Sequence, residues 1–255
     1  MKLKNKVVLI TGAGHGIGRA IVENLAEQEA TIAFTYRHDT DGALDLVKNL
    51  EKKKIKIKAY HVEELSDEKA SSELFSQVIK DFGQIDIVIA NASGAGTASK
   101  NDDLYDLNLQ DWHNSLKDNL FVAITTAKFA LSALHKNKNG GKLLFIGSVL
   151  GLEHVGNPKI TAYSAGKAAI HNFAKTIAKA VSPKIIVNVV APGRCWSKAY
   201  DNATEELIKE KFVVNRHGRP IEWNEIAQAV RMVLENDSII GQVITVDAGF
   251  SLRET

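Results

Sequence analysis

Short apolar runs of strand length recur along the chain, separated by segments whose apolar residues are spaced three and four apart. Residues 7–10, 31–35, 55–59, 85–90, 143–146, 185–190 and 243–246 read as seven strands. Between them, spacings such as Ile17, Ile21 and Leu25, or Ile170, Phe173, Ile177 and Val181, read as amphipathic helices. Strand and helix in alternation argue for an α/β fold, a parallel sheet covered on both faces and doubly wound. The 255 residues suffice for one large domain or two small ones. No linker, repeat or break in composition divides them, so a single domain over residues 1–255 is expected, and the four prolines punctuate loops of the second half.

Composition excludes several classes of function. Hydrophobic residues at 45% and charged residues at 24% exclude a disordered or fibrous chain. Thirty-two basic against thirty acidic side chains are too balanced for a nucleic-acid coat or a membrane-surface protein. The lysine-rich stretch 52–58 reads as a solvated helix end followed by a strand with Ile inward and Lys outward, near a sheet edge. No aromatic residue is interleaved there, which argues against nucleic acid. The single cysteine, Cys195, excludes an internal disulfide framework and fits a reducing compartment. No apolar run approaches the ~18 residues of a membrane span, and the opening stretch is too short for a signal segment. A cytoplasmic protein is the expectation. The eight histidines show no ligand spacing, so no metal is expected.

The turn after the first strand, Thr11-Gly12-Ala13-Gly14-His15-Gly16-Ile17-Gly18, opens the first helix. Backbone N–H groups at such a helix start suit a dinucleotide pyrophosphate, and glycine lets it approach closely. The spacing departs from G-x-G-x-x-G at Ile17, and a ligand-free strand–helix turn is the plain alternative. At the end of the second strand, Arg37 stands where an acidic residue would bind a ribose 2′-hydroxyl. A guanidinium suits a 2′-phosphate, with His15 available from the glycine turn, so NADP(H) is favoured over NAD(H). The alternative is a solvated Arg37, with Asp39 serving the ribose.

Tyr163 and Lys167, at i and i+4, share one face of a helix that turns inward through Ile170, Phe173 and Ile177. An ammonium beside a phenol favours phenolate and lowers the phenol's pKa, so the tyrosine could exchange a proton with a carbonyl or alcohol oxygen. Ser148 ends the fifth strand, where ligands of open α/β sheets bind. A G-x-S-x-G nucleophile is excluded, since Ile146 stands where glycine is needed. Asn119, on or beside an apolar helix stripe, is a structural asparagine unless these residues need a neighbour that holds water. Cys195 has no motif-placed activating pair.

Taken together, residues 11–18, Asn91-Ala92, Ser148, Tyr163-x-x-x-Lys167, Pro192-Gly193 and the closing Val246-Asp247-Ala248-Gly249 make the whole chain resemble a short-chain dehydrogenase/reductase, with a flavour of the 3-oxoacyl-acyl-carrier-protein reductases. The resemblance implies an oxidoreductase that moves a hydride between nicotinamide and a small carbonyl or secondary alcohol. Asn119, Ser148, Tyr163 and Lys167 would form a catalytic tetrad, with Tyr163 as acid/base, Ser148 orienting the substrate oxygen, Lys167 on the nicotinamide ribose, and Asn119 supporting a proton relay through water. Cofactor contacts would come from Gly12, Gly14, His15, Gly16, Ile17, Gly18, Arg37, Glu64, Asn91, Tyr163, Lys167, Pro192, Gly193 and Ser197. It also implies a homotetramer or homodimer through the long helices near Asn119 and Tyr163.

Departures from the family pattern include Ala90 and Ser93 around Asn91, Glu64 for the usual Asp, and a fifteen-residue gap from Ser148 to Tyr163. Residues 194–215 are expected to form a substrate lid, in which Trp196 either stacks on substrate or, the favoured reading, packs the lid. The second functional reading is a non-catalytic NADP-binding sensor, against which the intact Tyr163–Lys167 pair argues.

Overall fold

In the computed structural model, residues 1–94, 107–196, 204–207 and 215–252 are described. Seven strands, β1 Val7–Ile10, β2 Thr31–Tyr36, β3 Ile57–His61, β4 Ile87–Ala90, β5 Gly141–Ile146, β6 Ile185–Pro192 and β7 Val243–Val246, form one sheet in the order β3-β2-β1-β4-β5-β6-β7. Every neighbouring pair is parallel. The order reverses between β1 and β4, and the resulting crevice lies beyond the strand C-termini.

The helices are α1 Gly16–Ala26, α2 Thr40–Lys52, α3 Glu68–Phe82, α4 Leu109–Leu116, α5 Val122–Lys136, α6 Thr161–Val181 and α7 Trp223–Glu235. On one face of the sheet Ile21 and Leu25 of α1, Leu46 of α2 and Val230 of α7 bury Ile10 and Phe34. On the other, Leu74 and Val78 of α3, Ala127 and Ala130 of α5, and Ile170 and Ala174 of α6 bury Leu9, Val88 and Phe145. Both faces are thus covered, so the inner strands are mostly apolar rather than alternating. At the sheet edge, in β3, Ile57 is buried and Lys58 points out to Asp81 at 2.8 Å.

Strand ends differ from the expected runs for local reasons. Lys54 has φ +62°, and the Ile55 N–H donates to the Leu50 carbonyl, so Ile55 closes α2 and β3 starts at Ile57. β5 begins earlier, at Gly141, and includes a buried lysine, Lys142. Pro192 closes β6 rather than lying in a loop.

Candidate active site

The glycine turn is held from three sides. The Gly12 N–H donates to Thr35 Oγ1 at 2.9 Å, and Asn91 Nδ2 donates to the carbonyls of Thr11 and Gly12 at 2.9 and 2.8 Å. Thr11 Oγ1 accepts from the N–H groups of Asn91 and Ala92. Gly12 has φ +66°, and a Cβ there would lie 2.7 Å from Ala92 Cα, so the position needs glycine. A Cβ at Gly18 would meet the Gly12 carbonyl at 2.6 Å, which lets α1 start tight against β1.

Gly16, at φ +59°, faces open space. His15 precedes α1 without a side-chain cap, and no acidic residue lies in its first turn. By contrast, Asp39, Asp67 and Asn108 cap α2, α3 and α4. An uncapped helix start beside an open glycine face leaves backbone donors for an anion, so these residues fit a dinucleotide pyrophosphate. Asn91 contributes by bracing the turn. Thr11, the first residue of the glycine motif, and Thr35 do the same work, and nothing in the residue type or spacing of Thr35 signalled it.

Across the crevice, the C-terminal end of β5 meets α6. Ser148, only 8% exposed, lies beside the Tyr163 side chain, where it favours the phenolate, and accepts from the Leu150 N–H at 3.2 Å. Lys167 lies one turn beyond Tyr163, its Nζ 5.5 Å from the centre of the phenol ring and donating to the Ile146 carbonyl at 3.2 Å. The residue is 2% exposed, and burial pushes its ammonium down to about 8. Burial also raises the Tyr163 pKa, while the Ser148 hydrogen bond pulls it the other way. The phenolate expected from the Tyr–Lys spacing is therefore not the form this site favours by itself: desolvation outweighs the Ser148 interaction.

Asn119 joins this cluster through a distortion of the chain. Residues Lys117–Phe121 form a π-helical turn between α4 and α5, which lies against α6. Asn119 is 1% exposed, its Nδ2 donates to the Ser115 carbonyl at 2.9 Å, and its Oδ1 has no partner among the described residues. A buried amide oxygen without a partner marks a place for a donor.

The remaining positions divide. Gly193, after Pro192, has no room for a Cβ, which would lie 2.8 Å from Asp247 Cα, and its N–H donates to the Val246 carbonyl. Glu64 is held by Lys117 at 2.6 Å and by Ser66, so its carboxylate lies below the usual range and is bound to the turn that carries Asn119. Arg37 is exposed, while the Asp39 carboxylate is engaged in capping α2. Ser197 and most of the expected lid, 194–215, lie outside the described residues. The root of that segment is fixed: Trp196 N–H donates to the Ile221 carbonyl, and Trp223 Nε1 to the Trp196 carbonyl at 2.9 Å. Burial pushes the Cys195 thiol up to about 12, which keeps it a thiol at neutral pH. Among the described residues no group of three or more metal-ligating side chains gathers, and no helix is long and apolar enough to cross a membrane.

Comparison with known proteins agrees with this geometry. The family model described as short chain dehydrogenase matches residues 6–207. The 3-oxoacyl-(acyl-carrier-protein) reductase FabG of Haemophilus influenzae is 32% identical over 253 residues, covering 98% of this chain and 100% of the relative. General stress protein 39 of Bacillus subtilis is 30% identical over 97% of this chain and 85% of its own length. Among solved structures, a short-chain dehydrogenase/reductase from Serratia marcescens superposes with a TM-score of 0.87 at 28% identity, covering 98% of this chain and 100% of the other. A short-chain dehydrogenase from Burkholderia cenocepacia in complex with NADP gives 0.86 at 27% identity, covering 98% and 99%. With its doubly wound sheet and its serine, tyrosine and lysine gathered at the strand ends, the chain belongs to the short-chain dehydrogenase/reductase family of oxidoreductases.

Proposed function

We propose that this enzyme interconverts a carbonyl and a secondary alcohol with NADP(H) as the preferred cofactor and Tyr163 as the acid/base. The observation that carries the reading is the Tyr163 ring 5.5 Å from the buried Lys167 Nζ, with Ser148 beside it, at the mouth of a crevice whose other wall is the glycine turn. Gly12, Gly14, His15, Gly16, Ile17 and Gly18 would hold the pyrophosphate, Pro192 and Gly193 the nicotinamide end, and Arg37 the 2′-phosphate, with Asn91 and Glu64 supporting the walls. When bound, the nicotinamide supplies or accepts the hydride, for which no side chain is suited.

The chain's own residues manage the proton. Ser148 holds the reacting oxygen beside the Tyr163 hydroxyl. In reduction the neutral phenol donates to that oxygen, and the raised pKa of Tyr163 keeps the donor form filled at neutral pH. Lys167, below about 8, carries the charge that stabilises the phenolate left behind. Asn119, with its unpaired buried oxygen, is suited to hold water that returns a proton.

The relatives named as 3-oxoacyl-(acyl-carrier-protein) reductases favour a 3-oxoacyl type of carbonyl substrate. We also place the enzyme in the cytoplasm on its single thiol. A homotetramer or homodimer through α4 to α6 fits the exposed Leu109 and Phe121.

NADPH oxidation, followed by absorbance with a panel of ketones and 3-oxoacyl thioesters, tests the reading. Tyr163→Phe should lower kcat at least about a hundredfold with NADPH affinity retained. Wild-type turnover in that variant overturns Tyr163 as the acid. NADPH binding without turnover on the whole panel favours the nucleotide-binding sensor instead.

A further inference from the structure

His171 takes no part in the chemistry above, yet it is buried at the centre of the elements that perform it. It lies one helical turn beyond Lys167 on the same face of α6 and is 5% exposed. Its Nε2 is 3.5 Å from the Ser148 backbone nitrogen, placed to accept that N–H, and the ring lies against the Gly151 backbone. The glycines on either side of Ser148 are shaped around it. A Cβ on Gly147 would lie 2.3 Å from His171 Nε2, and one on Gly151 would lie 2.9 Å from His171 Cε1.

The imidazole therefore fills the space that side chains at 147 and 151 would take. Successive turns of α6 grip the end of β5: Lys167 holds the Ile146 carbonyl and His171 the Ser148 N–H, with Tyr163 one turn before them beside Ser148.

We infer that His171 is a positioning residue, a neutral imidazole that locks the 147–151 turn so that the Ser148 hydroxyl points at the reacting oxygen. A neutral ring has one acceptor and one donor nitrogen, which matches one contact to an N–H and one to backbone elsewhere in the turn. Neutrality is favoured by burial and by the charges of Lys167 and Lys175, which hold its pKa at about 4. A second charge beside Lys167 is thereby avoided.

The inference rests on the reading of Ser148 as the residue that orients the substrate oxygen, and a double-mutant cycle separates the two. His171→Leu keeps the packing and removes the acceptor, so kcat should fall about ten- to a hundredfold with NADPH affinity unchanged. His171→Gln restores an acceptor near the Nε2 position and should recover kcat to within about threefold of wild type. In a Ser148→Ala background, His171→Leu should cost less than about twofold more, because both act through one hydroxyl. Undiminished loss in that background overturns the positioning role, as does a Gln variant no better than Leu. A Ser148→Ala enzyme with wild-type turnover overturns the underlying reading and this inference with it.

Should His171→Leu fail to fold, nitrogen NMR on the wild-type protein decides. The His171 ring should be neutral and protonated on Nδ1 at neutral pH, and a charged or Nε2-protonated ring overturns the inference.

Discussion

Tyr163 and Lys167 were legible as a pair from spacing alone, since i and i+4 share a helix face. Their proton affinities were not, because spacing says nothing about depth. Both groups lose water, which favours their neutral forms: the phenol goes up and the ammonium comes down to about 8. The sign of the pH dependence follows. Reduction needs the protonated phenol, so reductive kcat should be fully present at and below neutral pH and fall as pH rises through the Tyr163 pKa. Oxidation needs phenolate and should rise over the same range. Discharge of Lys167 near about 8 adds an inflection that Lys167→Arg should remove, because a guanidinium stays charged there. Initial rates in both directions across pH are the measurement; reductive and oxidative kcat rising together would contradict the assignment of Tyr163.

Whole elements were easier to read than their distortions. Seven apolar runs became seven strands because parallel strands buried on both faces leave a continuous signal. The π-helical turn at Lys117–Phe121 left none, since widening one turn changes no residue type, yet it carries the buried Asn119 against α6. Glu64 shows the same limit: its acidic character is visible in the sequence, but its capture by Lys117 is a tertiary event.

The turn between β2 and α2 bears on the proposed contact to a ribose phosphate. Asp39 Oδ1 accepts the Gly42 N–H at 3.0 Å, and a Cβ on Gly42 would collide with that carboxylate, so Asp39 is committed to the helix start. Arg37, exposed at the strand end, is the residue proposed to meet a ribose phosphate. Arg37→Ala should cut kcat/KM with NADPH about ten- to a hundredfold, the worth of charge-assisted hydrogen bonds, and leave NADH nearly unaffected. An unchanged NADPH-to-NADH ratio would return the 2′-position to other residues.

Across the whole molecule, chemistry and stability occupy opposite ends of the sheet. The C-terminal ends of β1, β4, β5 and β6 carry the crevice, where polar groups such as Asn119 Oδ1 stay unpaired. At the N-terminal ends Asp86 accepts from the Val7 N–H at 2.9 Å and pairs with Lys6 at 3.3 Å. Lys142, near the start of β5, is 2% exposed and pairs with Asp237 at 2.6 Å, which ties the sheet to the segment after α7. That contact holds the Asp237 carboxyl below its usual range. A carboxylate with a depressed folded pKa stabilises above its unfolded value, near ~3.9, and loses that contribution as pH falls through the folded one. Because Asp237 is 61% exposed, its share is well short of a fully buried pair. Asp237→Asn strands the Lys142 ammonium and should cost about 1–2 kcal/mol at neutral pH, the deficit closing in strong acid. Adding Lys142→Met to that variant removes the stranded charge and should recover most of the loss. Urea unfolding of the variants at neutral and acidic pH, read beside their turnover, tests the separation. Stability should move while kcat stays at the wild-type value, and a fall in kcat with unchanged stability would show that the two ends of the sheet are coupled.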